Sequence, residues 1–188
     1  MAIKIYIDQG HNPRGYNTGA EGNGFYEQDI TYRVGDLLYG YLSENGSFAP
    51  RLSRPDPDTI LGTDNQSSLT ARIREANTWG ADAFVSIHTN ASENPDANGS
   101  EALVYGPGAT AAVALGESIL AQLALVTGLH NRGIVYRPGL YVLKRTKMPA
   151  VIVEMGFITN KYEAELMAYS PNLFAIGIYR GIRDYYGV

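Results

Sequence analysis

Two short runs of nearly unbroken apolar residues, Ala83-Phe84-Val85-Ser86-Ile87 and Pro149-Ala150-Val151-Ile152-Val153, restrict the fold of this chain more than any other feature. Runs this short and this rich in Val and Ile suit strands buried on both faces at the centre of a sheet. The remaining segments fit around them. Ile3, Ile5 and Ile7 alternate with Lys4 and Tyr6 as in a first strand. Ile30, Val34, Leu37, Leu38, Tyr41 and Leu42 form a helical stripe, with Asn45-Gly46 as its C-cap. Residues 47–53 predict a strand that Pro50 confines to a sheet edge. Leu69, Ile73 and Ala76 predict a helix ending at Gly80, residues 101–105 a strand, and residues 109–127 a helix with Gly128 beyond it. Asn160 and Glu163 are spaced as a cap pair. Ser170-Pro171 opens a closing helix that turns Leu173, Ile178, Ile182 and Tyr185 to the core. This alternation of strand and helix predicts an α/β domain.

Composition narrows the chemistry. With 188 residues, 45% of them hydrophobic, the chain is long enough for one sizeable core. It has no cysteine, so disulfides and thiolate metal sites are excluded and any metal must be held by His, Asp or Glu. A net charge of -4 without a basic patch argues against a nucleic-acid partner, and no Lys/Arg run suggests attachment to an anionic membrane. No signal peptide is read at the N-terminus, and no stretch is read as long enough to span a bilayer. A target outside the cell would then be reached by other means of export, or by an excised domain.

Three ionisable residues sit at or just after the ends of predicted strands: His11 in Asp8-Gln9-Gly10-His11, His88 after Ile87, and Glu154 after Val153. Ligands of open α/β sheets gather at such ends, so the three point to one cleft. Two histidines suit zinc, whose catalytic sites commonly use three protein ligands and one water. The third ligand is a carboxylate or His130. Glu27 follows a loop containing Gly15, Gly19, Gly22 and Gly24 that can fold back towards His11, yet an acid at a helix start is also favoured by the helix dipole alone. His130 lies just past a helix end, as an ordinary surface histidine does. Glu154 ends so apolar a run that burying it requires a partner, and beside a zinc-bound water it could serve as general base.

At this point the residues resemble a family, the zinc-dependent N-acetylmuramoyl-L-alanine amidases of autolysins and phage endolysins. Asp8-Gln9-Gly10-His11-Asn12 resembles its opening box and Gly24-Phe25-Tyr26-Glu27-Gln28-Asp29 the following one. Arg72 to Asn77 with Ala81 to Ala91 resembles the third, and Lys147 to Asn160 the closing box. The resemblance implies His11, Glu27 and His88 as zinc ligands and Glu154 as acid/base. It also implies a mixed, mostly parallel twisted β-sheet flanked by helices on both faces, with residues 1–188 as a single catalytic domain. The implied substrate is bacterial peptidoglycan, cut between N-acetylmuramic acid and L-alanine at the cell wall. Asn90 and Arg132 are candidate substrate contacts; Tyr16, Tyr26 and Tyr141 are candidate sugar-facing aromatics. Gln9 and Asn12-Pro13 stand where small residues or glycine are common, and Thr159 where Ser is; these departures bear on substrate fit. Two rival readings remain: a metal-independent glycosidase using Glu27 and Glu154 as a carboxylate pair, and a non-catalytic cell-wall-binding module.

Overall fold

The computed structural model describes all 188 residues. The elements in chain order are β1 (Ile3–Gln9), β2 (Glu21–Gly22), β3 (Phe25–Tyr26), α1 (Glu27–Glu44), β4 (Phe48–Leu52), α2 (Asn65–Trp79) and β5 (Ala83–Asn90). They continue with β6 (Ser100–Val104), α3 (Thr110–Thr127), β7 (Asn131–Tyr136), α4 (Tyr141–Arg145), β8 (Ala150–Phe157), α5 (Lys161–Tyr169) and α6 (Pro171–Tyr186). Six strands form one sheet in the order β4-β1-β5-β8-β6-β7. All neighbouring pairs are parallel except β6 with β8. The expected mixed, mostly parallel sheet is therefore present, with β4 and its Pro50 at one edge.

Side-chain alternation along the strands builds two unequal layers. Ile5, Ile7, Val85, Ile87, Val151, Val153 and Met155 face α1, α3 and α6 in the larger core cluster. Tyr6, Phe84, Leu103, Ala150 and Ile152 face α2 and α4 in a much smaller one. The thin layer covers the far ends of β5 and β8 less fully on that face, and His88 and Glu154 are only partly buried there. The helix α3 is by length and composition apolar enough to cross a bilayer, contrary to the sequence expectation. Here its Leu115, Ile119 and Leu123 are fully buried in the larger core.

Local signals act as expected at several ends. Gly80 closes α2 in the left-handed conformation, Gly128 does so for α3, and Pro171 opens α6 at its first turn. Asn45 is the C-cap of α1 as expected, with an extended backbone. One expectation needs correction. Asn160 does cap α5 by accepting from the Glu163 amide, but the Glu163 side chain does not return the bond. Its oxygens accept instead from the amides of Gly99 (2.6 Å) and Phe157 (2.7 Å), stapling the loop before β6 to the end of β8.

Candidate functional site

The end of β1 is built around a buried ion pair. Asp8 accepts from Arg72 Nη1 and, at 2.7 Å, from Ser86 Oγ. Arg72, 1% exposed, also donates to the carbonyls of Gln9 (2.7 Å) and His11 (2.6 Å). The backbone that turns off the strand is thereby held from beneath. His11 itself takes a left-handed backbone (φ 69), a conformation that costs a residue with a side chain about 1–3 kcal/mol and persists only where its surroundings enforce it.

The turn delivers His11 to Glu27, the first residue of α1. Nε2 of His11 lies 3.2 Å from Glu27 Oε2, and Nδ1 of His88 lies 3.1 Å from Glu27 Oε1. Glu27 also accepts from the amides of Ala20 and Thr89, both at 2.9 Å. Nδ1 of His11 faces the Asn17 carbonyl at 3.2 Å, which leaves Nε2 for the carboxylate side. The two rings meet edge to face at 4.8 Å. Two glycines make the approach possible. A Cβ at Gly10 would stand 2.6 Å from His88 Cε1, and one at Gly19 would stand 2.7 Å from Glu27 Cβ and 2.9 Å from His11 Cδ2.

The donor atoms of His11, Glu27 and His88 all lie within 4.8 Å of one another, as a group able to hold a metal ion. The spacing suits that role. Adjacent ligand atoms of a tetrahedral ion bound at about 2.0–2.1 Å stand about 3.3 Å apart, and each histidine stands near that distance from one oxygen of Glu27, at 3.2 and 3.1 Å. Burial works against the charge on Glu27, but hydrogen bonds from His11 and His88 hold its carboxyl well below the usual carboxylate range. His88 is likewise opposed by burial yet moved above its ordinary value, chiefly by Glu27.

Glu154 stands beside His88 in register across β5 and β8, and Glu101 stands beside Glu154 across β8 and β6. The three form one row on the thin face of the sheet. Glu154 Oε2 is buried without any hydrogen-bond partner. Burial pushes its carboxyl up to about 7; His88 pulls the other way, while Glu27 and Glu101 add to the rise. A pocket of about 180 Å³ opens beside His11 and His88, with Leu140 and Tyr141 on its wall.

Sequence reasoning did not single out Glu101, although it is an acid at the start of the apolar run Ala102-Leu103-Val104, and it is buried. Its Oε1 accepts from Asn90 Nδ2 and its Oε2 from Arg132 Nε, both at 2.9 Å, so the two candidate substrate contacts meet on one carboxylate. Tyr16 and Tyr26 are exposed, and His130 is an exposed loop residue outside the group. Gln9 and Asn12 are fully buried. Gln9 accepts from the Arg54 amide, and Asn12 bonds the backbone of Tyr16 and Leu61. Thr159 accepts from the Ser92 amide. The side chains of Gln9, Asn12 and Thr159 are thus each engaged within the scaffold.

Known proteins share this architecture. The family described as N-acetylmuramoyl-L-alanine amidase matches residues 5–184. The amidase CwlM of Bacillus licheniformis is 36% identical over 176 residues, covering 93% of this chain and 64% of that protein. The amidase LytC of Bacillus subtilis (strain 168) is 36% identical over 186 residues, covering 97% of this chain. The chain spans only 35% of the length of LytC. The crystal structure of an N-acetylmuramoyl-L-alanine amidase from Clostridium difficile 630 superposes with a TM-score of 0.88 at 29% identity, over 99% of this chain and 97% of that one. With that match running from the first strand to the last helix, the chain belongs to the N-acetylmuramoyl-L-alanine amidase family.

Proposed function

We propose that residues 1–188 are one catalytic domain hydrolysing the amide between N-acetylmuramic acid and the stem peptide's L-alanine in bacterial peptidoglycan, at the cell wall. The observation that carries this reading is Glu154, whose partnerless buried oxygen stands in register beside the His11-Glu27-His88 group. Zinc is the metal assigned to that group, because two imidazoles and one carboxylate leave a position for water or substrate. Bound there, zinc supplies a Lewis acid that polarises the scissile carbonyl and acidifies water.

The chain's own residues do the remaining work. Glu27, pinned by two backbone amides, and His11, pinned through Nδ1, hold their donor atoms in fixed directions. Glu154, whose carboxyl burial raises in the metal-free chain, stands in register beside His88 of the metal-holding group. It accepts a proton from the attacking water and returns it to the departing alanine nitrogen. Asn90 and Arg132 flank Glu154 through Glu101 as the proposed peptide-binding side of the site.

The glycosidase reading fits less well. Each Glu27 oxygen is engaged by one histidine and one backbone amide, which leaves no oxygen free for a nucleophile or acid. The experiment is Glu154→Gln with metal content and peptidoglycan digestion measured together. The expected result is about one zinc per chain retained, with release of free alanine amino groups lowered by roughly 10²–10⁴-fold. Undiminished release removes Glu154 from the mechanism, and release of reducing sugar ends without amino groups restores the glycosidase.

A further inference from the structure

Strand β7 pairs with β6 in a register that jumps by one residue. Ser100 faces Asn131, whereas Glu101 faces Gly133. The residue left over is Arg132, and a bulge of this kind takes a side chain out of the regular alternation and re-aims it. Several contacts then fix its guanidinium. Nε donates to Glu101 Oε2 at 2.9 Å and Nη1 to the Asn98 carbonyl at 3.1 Å, while Cζ lies 5.1 Å from the Phe157 ring centroid. Gly99 leaves the space: a Cβ there would stand 3.0 Å from Arg132 Cγ, on a backbone with φ +100. Nη2 makes no hydrogen bond within the chain, and 39% of the side chain is exposed.

The result is a pre-oriented donor with one end free. Arginine can only donate, so its partner must offer oxygen acceptors, and a carboxylate does so most strongly. Position selects which carboxylate. Glu101 neighbours Glu154 in register, so a guanidinium seated on Glu101 lies about one strand spacing, ~5 Å, from the strand of Glu154. In a stem peptide cut at its first residue, an acidic second residue brings its free carboxyl within roughly 7 Å of the scissile bond along an extended chain. Both oxygens of Glu101 are already engaged, by Asn90 and by Arg132 itself.

We propose that Arg132 binds the free carboxylate on the second residue of the stem peptide and so sets a preference for acidic over amidated stems. This rests on the amidase reading above. The test uses the zinc-loaded full chain and two synthetic muramoyl peptides that differ only in a carboxylate or a carboxamide on the second residue. The wild-type protein is expected to favour the acid about 10-fold or more in kcat/KM, mainly through KM. Arg132→Ala is expected to abolish the preference and Arg132→Lys to keep part of it, because charge survives but the planar fork does not. Calorimetry of the metal-free protein with the two peptide products reads the same contact without turnover, and the same ranking is expected. Equal cleavage of both substrates by the wild type, or an equal loss on both in Arg132→Ala, overturns the assignment of Arg132 and leaves the amidase reading standing. Failure of the wild type to cleave either substrate overturns the amidase reading itself.

Discussion

The guanidinium of Arg72 donates to the carbonyl oxygen of His11 at 2.6 Å while its other nitrogen pairs with Asp8, 64 residues away in sequence. One buried cation thus ties the first strand of the sheet to the turn that carries a candidate metal ligand. Arg72→Ala leaves Asp8 buried without its counter-charge, and the expected loss of stability is about 3–5 kcal/mol. Denaturant titration of the metal-free protein measures it. A loss under about 1 kcal/mol would mean that Asp8 is not held by this pair.

The same pair predicts acid sensitivity. Burial raises the carboxyl of Asp8, but Arg72 and the hydroxyl of Ser86 outweigh it, and the folded-state value lies below the ordinary one. The stability that the ionised Asp8 contributes is therefore complete above about pH 4 and declines as pH falls through the lowered folded-state value. Thermal unfolding between pH 7 and pH 2 is expected to show this decline. Asp8→Asn is expected to be less stable at pH 7 and to have a shallower acid limb; parallel limbs in the two proteins would exclude Asp8 as the source.

Glu154 predicts the opposite slope. Its carboxyl is raised to about 7, first by burial, so the folded metal-free protein favours the protonated form. Stability contributed by this group is present below about pH 4 and is lost as pH rises towards 7. Metal-free Glu154→Gln is expected to be more stable than metal-free wild type at pH 8, by on the order of 2 kcal/mol, and nearly equal to it at pH 4. Equal stability at both pH values would place Glu154 in contact with water.

Gly19 is expected to tolerate no side chain. A Cβ there would meet both Glu27 and His11, so Gly19→Ala must move one of the two. Overpacking of this kind costs about 1–3 kcal/mol. The change is expected to lower the bound metal well below one equivalent while the circular dichroism spectrum stays as in wild type. Full metal occupancy in Gly19→Ala would show that the loop can retreat freely.

The sequence carried a good part of this site because the chemistry stands against an apolar background. His88 and Glu154 end runs that read as buried strands, and they do lie on neighbouring strands. Glu27 was not decidable from its local surroundings, since an acid at a helix start has a second explanation; only the fold-back of the glycine-containing loop brings it to His11. The pairing of Asp8 with Arg72 gave no local signal, because the two residues meet only once the strand and α2 are packed together. Strand β7 was not read at all: Asn131-Arg132-Gly133 has the look of a turn, and the strand is only partly buried. Helix α4 has five residues, too few for a helical period to show.

The row formed by His88, Glu154 and Glu101 stores the site in the pairing of three strands rather than in any loop. On β8 the residues flanking Glu154 are Val153 and Met155, both buried in the larger core on the opposite face. A slip of β8 by one position would carry the acid into that core and leave a methyl or thioether surface in its place. A chain folded with that error has no working site, so turnover in a preparation counts the molecules whose strands aligned correctly.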